Sequence, residues 1–136
     1  MTMSASTVLE RELGRLITED QVLQVLMGNP VPVFSYATET KPLPYIIYNE
    51  TRCESWDDDA TLGAEHTILI SVISEGESEA YVKNVLARIR SLWSRSERRL
   101  NILPYRLVLL NFTQQDIQQE ADGQAIRGTA QYRALT

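Results

Sequence analysis

A chain of 136 residues, 43% hydrophobic and 23% charged, has the composition of an ordinary globular protein and the length of one domain. Its net charge of −5 argues against a dedicated nucleic-acid binder, which carries a basic face. The single cysteine, Cys53, excludes an intrachain disulfide, and no apolar run approaches the roughly 20 residues of a membrane helix.

The opening MTMSASTVLERELG has neither the basic n-region nor the apolar h-region of a signal peptide, so use in a cytoplasmic setting is expected. Ser6 or Thr7 can cap a first helix whose apolar stripe is Val8, Leu9, Leu13, Leu16 and Ile17. Thr18-Glu19-Asp20-Gln21 has the form of a capping box, with Gln21 reaching back. It opens a second helix carrying Val22, Leu23, Val25, Leu26 and Met27, which Gly28-Asn29-Pro30 stops. Pro30, Pro32, Pro42 and Pro44 then mark an irregular or edge segment, because proline cannot donate to a ladder.

Tyr45 to Cys53 reads as a strand, with Cys53 as a small buried hydrophobe. A polar loop, Glu54 to Leu62, leads to a second strand, Glu65 to Ser74, rich in Ile, Leu and Val, as suits the middle of a sheet. Nearness in sequence favours an antiparallel pair. After Glu75-Gly76-Glu77-Ser78 the period changes, and Val82, Val85, Leu86, Ile89, Leu92 and Trp93 form one helical stripe that must lie on a sheet. Ser94 to Asn101 is a basic helix end. Arg106 to Phe112 is a third strand, extended by polar alternation to Gln119. Asp122-Gly123 signals a hairpin into a last strand, Ala125 to Leu135, in which Ile126, Gly128, Ala130, Tyr132 and Ala134 alternate with Arg127, Thr129, Gln131 and Arg133. The expected fold is α+β, an antiparallel four-stranded sheet with helices packed on one face, in the order α-α-β-β-α-β-β.

Four features could carry chemistry. Asp57-Asp58-Asp59 lacks the alternating ligands and final Glu of an EF-hand, and reads as a solvated acidic loop or a contact for a basic partner. His66, the only histidine, has no metal-ligand or triad partners at workable spacing and reads as a structural or interface residue; the adjacent Glu65 points to the opposite strand face. The glycines form no phosphate-binding pattern. Arg88, Arg90, Arg95, Arg98 and Arg99 read first as a solvated helix end, then as a protein contact, and last as a phosphate contact. No catalytic, cofactor-binding or metal-ligating set is expected.

The order of these segments resembles the tail-completion, or tail-terminator, proteins of long-tailed phages and related gene transfer agents. The likeness rests on the paired N-terminal helices, LPYIIY (Leu43 to Tyr48), GAEHTILISVIS (Gly63 to Ser74), the amphipathic helix, the hydrophobic strand, the acidic-Gly turn and the closing RGTAQYRA (Arg127 to Ala134). The resemblance implies one tail-terminator-like domain over residues 1–136, without enzymatic activity or cofactor. It implies a ring, typically a hexamer, at the head–tail junction of a virion or phage-like particle assembled in the host cytoplasm. The ring would end tail polymerisation and bind further copies of itself, the tail tube protein and a head–tail connector or neck protein. DNA would meet it only as passing cargo, and no membrane is involved. Another neck component, such as a head-completion or connector-adaptor protein, is the nearest alternative, followed by a small cytoplasmic enzyme or binding module of ferredoxin-like build. Trp56, beside the three aspartates, is either an anchor in a partner surface or a loop-packing residue. The candidate interface is therefore Trp56, Asp57, Asp58 and Asp59 with Arg95, Arg98 and Arg99.

Overall fold

The computed structural model describes residues 3–35, 42–55, 63–75, 78–95, 100–119 and 125–136. The chain runs α1 (Ala5–Thr18), α2 (Gln21–Met27), β1 (Val33–Phe34), β2 (Tyr45–Ser55), β3 (Ala64–Glu75), α3 (Glu79–Trp93), β4 (Leu109–Gln119) and β5 (Ala125–Leu135). The strands form one sheet in the order β1-β2-β3-β5-β4.

This corrects the expected four-stranded antiparallel sheet. Among the described residues there are five strands, and the sheet is mixed because β1 pairs in parallel with β2, Val33 opposite Ile46 and Phe34 opposite Ile47. The missed strand lies in the proline-marked segment. Proline cannot donate to a ladder, but its carbonyl can accept, and Pro32 O takes a bond from Ile46 N at 2.8 Å. Val33 and Phe34 then supply ordinary edge residues. The rest of the sheet is antiparallel, with β2 against β3, β3 against β5 and β5 against β4.

Two of the described helices, α1 and α3, bury full apolar stripes on one face of the sheet. Val8, Leu9, Leu13, Leu16 and Ile17 of α1 are buried, as are Val82, Val85, Leu86, Ile89, Leu92 and Trp93 of α3. All of these but Val8 meet Ile46, Tyr48, Ile68, Ile70, Val72, Ala130, Tyr132 and Ala134 from the strands in one apolar cluster. Full burial of each such aliphatic side chain contributes about 1.5–3 kcal/mol. Gly128 lets α3 come close, since a Cβ there would sit 2.4 Å from Val82 Cγ1 and 2.8 Å from Leu86 Cδ1. Trp93 is the centre of an aromatic group, 4.8 Å from Tyr132 and 6.3 Å from Tyr48 between ring centroids, and its indole N–H donates to Leu13 O at 3.3 Å.

Several local expectations shift. The cap of α1 is Ser4, whose hydroxyl accepts from Thr7 N at 3.1 Å. The cap of α2 is Asp20, accepting from Leu23 N at 3.0 Å, so Gln21 is the first helical residue. Only Leu23 of α2 is buried, and Val25 is 86% exposed. β4 begins at Leu109 rather than Arg106, because a turn closed by Tyr105 N to Ile102 O at 2.8 Å precedes it. Leu107 still packs on the core from outside the ladder.

Candidate functional site

The helices leave the opposite face of the sheet uncovered by any described helix. On it stand Arg52, Glu54, Glu65, Thr67, Ser71, Arg127, Thr129, Gln131 and Arg133, and beyond the bulge of β4 Gln114, Asp116 and Gln118. The alternation along β5 places its polar residues here because successive side chains of a strand point to opposite faces. These groups bond one another. Arg133 donates to Glu65 Oε1 at 2.6 Å, Arg52 pairs with Glu54, Ser71 and Thr129 hydroxyls lie 3.0 Å apart, and Gln114 donates to Gln131 at 3.3 Å. The hydrogen bond from Arg133 holds the Glu65 carboxyl below the usual carboxylate range. At one end this face turns apolar, where Tyr45, Ile47 and Ile73 cluster with Phe34, Leu43 and Ala125.

β4 closes the sheet order on this side. Its sequence after the bulge, QQDIQQ, is mostly exposed, and its outer edge bears no further strand among the described residues. A long polar edge can pair with another chain while resisting indiscriminate apolar association.

Of the residues marked as a candidate interface, Trp56, Asp57, Asp58, Asp59, Arg98 and Arg99 lie outside the described residues, as does the expected Asp122-Gly123 turn. Arg95 is exposed at the end of α3. The arginines before it are structural. Arg88 grips the Asp20 carboxylate with two bonds, 2.9 and 2.6 Å, tying α3 to the cap of α2. Arg90 lies over the Phe112 ring, 3.9 Å from its centroid.

Two polar centres escaped the sequence patterns. Glu12 is 6% exposed inside the α1 stripe; it accepts from Arg15 at 3.2 and 3.1 Å and from Asn101 N at 2.9 Å. The Arg15 hydrogen bonds outweigh burial and lower its pKa. The Glu12/Arg15 spacing, three apart on a helix, was the signal available. His66 is fully buried. Its Nδ1–H donates to Glu50 Oε1 at 2.5 Å and Nε2 meets Thr136 Oγ1 at 3.0 Å. Cys53, expected inside, is exposed. Yet its thiol belongs to the same group: a bulge between Glu50 and Arg52 turns Cys53 onto the helix side, opposite His66. No alternation rule would put residues 50 and 53 on one face, since an odd spacing separates them in a regular strand.

A family model described as tail completion protein gp17 matches residues 11–136. The fold matches a chain in a solved structure titled "Virion of native gene transfer agent (GTA) particle", with a TM-score of 0.82, 23% identity and 98% of each chain covered. At that identity the likeness concerns the fold. No curated protein matches the chain.

Proposed function

The chain belongs to the tail completion protein gp17 family, structural proteins of the phage virion, and from that premise we propose that it closes into a ring, a hexamer, that caps the tail tube. In this reading the ring ends tail polymerisation and offers its other surface to a head–tail connector or neck protein. The family match over residues 11–136 carries the proposal. The geometry supports it: α1 and α3 cover one face of the sheet, while the other face, outside the apolar cluster at one end, is polar and internally paired, which suits a surface repeated around a lumen. A net charge of −5 disfavours adhesion of passing DNA.

Electron microscopy of particles carrying a tagged copy tests the placement. Label confined to the head–tail junction is the expected result, and label along the tube or on the capsid overturns it. Particles lacking the protein should show tails of unregulated length. Normal tails attached to no heads would instead favour a head-completion or connector-adaptor role. The segment containing Trp56 and Asp57 to Asp59, with Arg95, Arg98 and Arg99, is the proposed contact surface. Trp56→Ala should leave the melting temperature unchanged and reduce incorporation into particles. A loss of several kcal/mol would instead make Trp56 a packing residue.

A further inference from the structure

We propose that Glu50, Cys53 and His66 form a binding site for a thiophilic divalent cation, with Zn²⁺ the fitting ion. One ligand atom from each, a carboxylate oxygen, the thiol sulfur and Nδ1, lie within 4.8 Å of one another. A tetrahedral Zn²⁺ with ordinary Zn–S and Zn–N bonds holds its ligand atoms roughly 3.3–3.8 Å apart, so a small closure completes the set. Cysteine and histidine together select zinc-like ions over Mg²⁺ or Ca²⁺, which take oxygen ligands.

Three features of the fold favour this arrangement. The bulge at Thr51 is what places Glu50 and Cys53 on one side of β2, in the exposed half of the strand. The Nε2 atom of His66 is held by Thr136 Oγ1 at 3.0 Å, leaving Nδ1, which also lies 3.4 Å from Ser6 Oγ, as the atom on the side of Glu50 and Cys53. Metal-bound histidines are oriented in this way through their second ring nitrogen. Finally, access exists, since Cys53 is exposed and Glu50 borders an open polar cleft it shares with Glu10 of α1.

Binding would release the thiol proton and leave the fold in place. The ion takes the Nδ1 lone pair, and the proton that Nδ1 now donates to Glu50 passes through solvent to Nε2, so the imidazole stays neutral. The thiol proton leaves as the thiolate bonds the metal, and Nε2–H then donates to Thr136. The Glu50 carboxylate turns from the imidazole to the cation. Affinity should therefore fall as pH falls.

The test uses the full chain, stripped with a chelator and returned to Zn²⁺ or Co²⁺. Stoichiometric Zn²⁺ is expected to protect Cys53 from a thiol-reactive disulfide reagent and to raise the melting temperature. Co²⁺ should give the near-ultraviolet charge-transfer band of a cobalt–thiolate bond, absent in Cys53→Ser. Thr136→Val should weaken the ion about tenfold without removing the band. Because Cys53 is exposed, Cys53→Ser should fold normally. Unchanged thiol reactivity in excess Zn²⁺, no Co²⁺ band, or a Zn²⁺-dependent stabilisation that survives in Cys53→Ser would each overturn the site. None of these readouts depends on ring formation.

Discussion

The two faces of the sheet are built from the same strands and behave as different materials. Along β5, Gly128, Ala130, Tyr132 and Ala134 are buried under α3, while Arg127, Thr129, Gln131 and Arg133 look the other way. The covered face has almost no freedom: Gly128 is in contact range of three side chains, and Trp93 touches two tyrosines and a backbone carbonyl. The open face is held by pairs of polar groups that water can replace. A covered face of that kind fixes the fold, and an open one leaves its contacts available to partners.

Trp93→Ala should be the most damaging single change, costing about 3–5 kcal/mol through the cavity it leaves. Chemical denaturation measures it, and a loss under 1 kcal/mol would mean that the covered face is loosely packed. Gly128→Ala should cost about 1–3 kcal/mol, because the added methyl must displace Val82 or Leu86.

Glu12 sharpens the contrast through pH. Its carboxyl lies below the ordinary value of 4.5, chiefly because Arg15 donates to it. Stability from this group is present above that value and is lost as pH falls through the lower native one. Glu12→Gln should therefore flatten the acid side of the melting-temperature profile, and an unchanged profile would remove Glu12 from the account. Arg133→Ser, on the open face, should leave the melting temperature unaltered, since exposed pairs contribute little. A clear drop would show that the open face is part of the fold's support.

Much of this was legible from residue order. The stripe from Val82 to Trp93 is buried in full, and β5 occupies the expected residues, because period and apolarity act locally. The second helix was legible as an element but not as a surface: Val22 and Val25 are apolar and exposed. Asp20, expected inside a capping box, caps α2 itself and is clamped by Arg88, 68 residues away. Arg88 and Arg90 looked like members of a solvated cluster, and each has a partner that lies distant in sequence.

The sequence alone determined where the chain turns hydrophobic, with what period, and therefore which residues make helices, strands and core. It also carried the family resemblance, since that depends on the order of such segments. Tertiary structure decided what depends on distant pairing. The proline-bounded Val33–Phe34 became a strand only because Ile46 offered its N–H to Pro32 O. Glu50, Cys53 and His66 share one corner only because a bulge in β2 shifts the alternation by one residue. Local periodicity specifies which side of an element faces inward, whereas register and bulges, set by the partner strand, specify which residues meet.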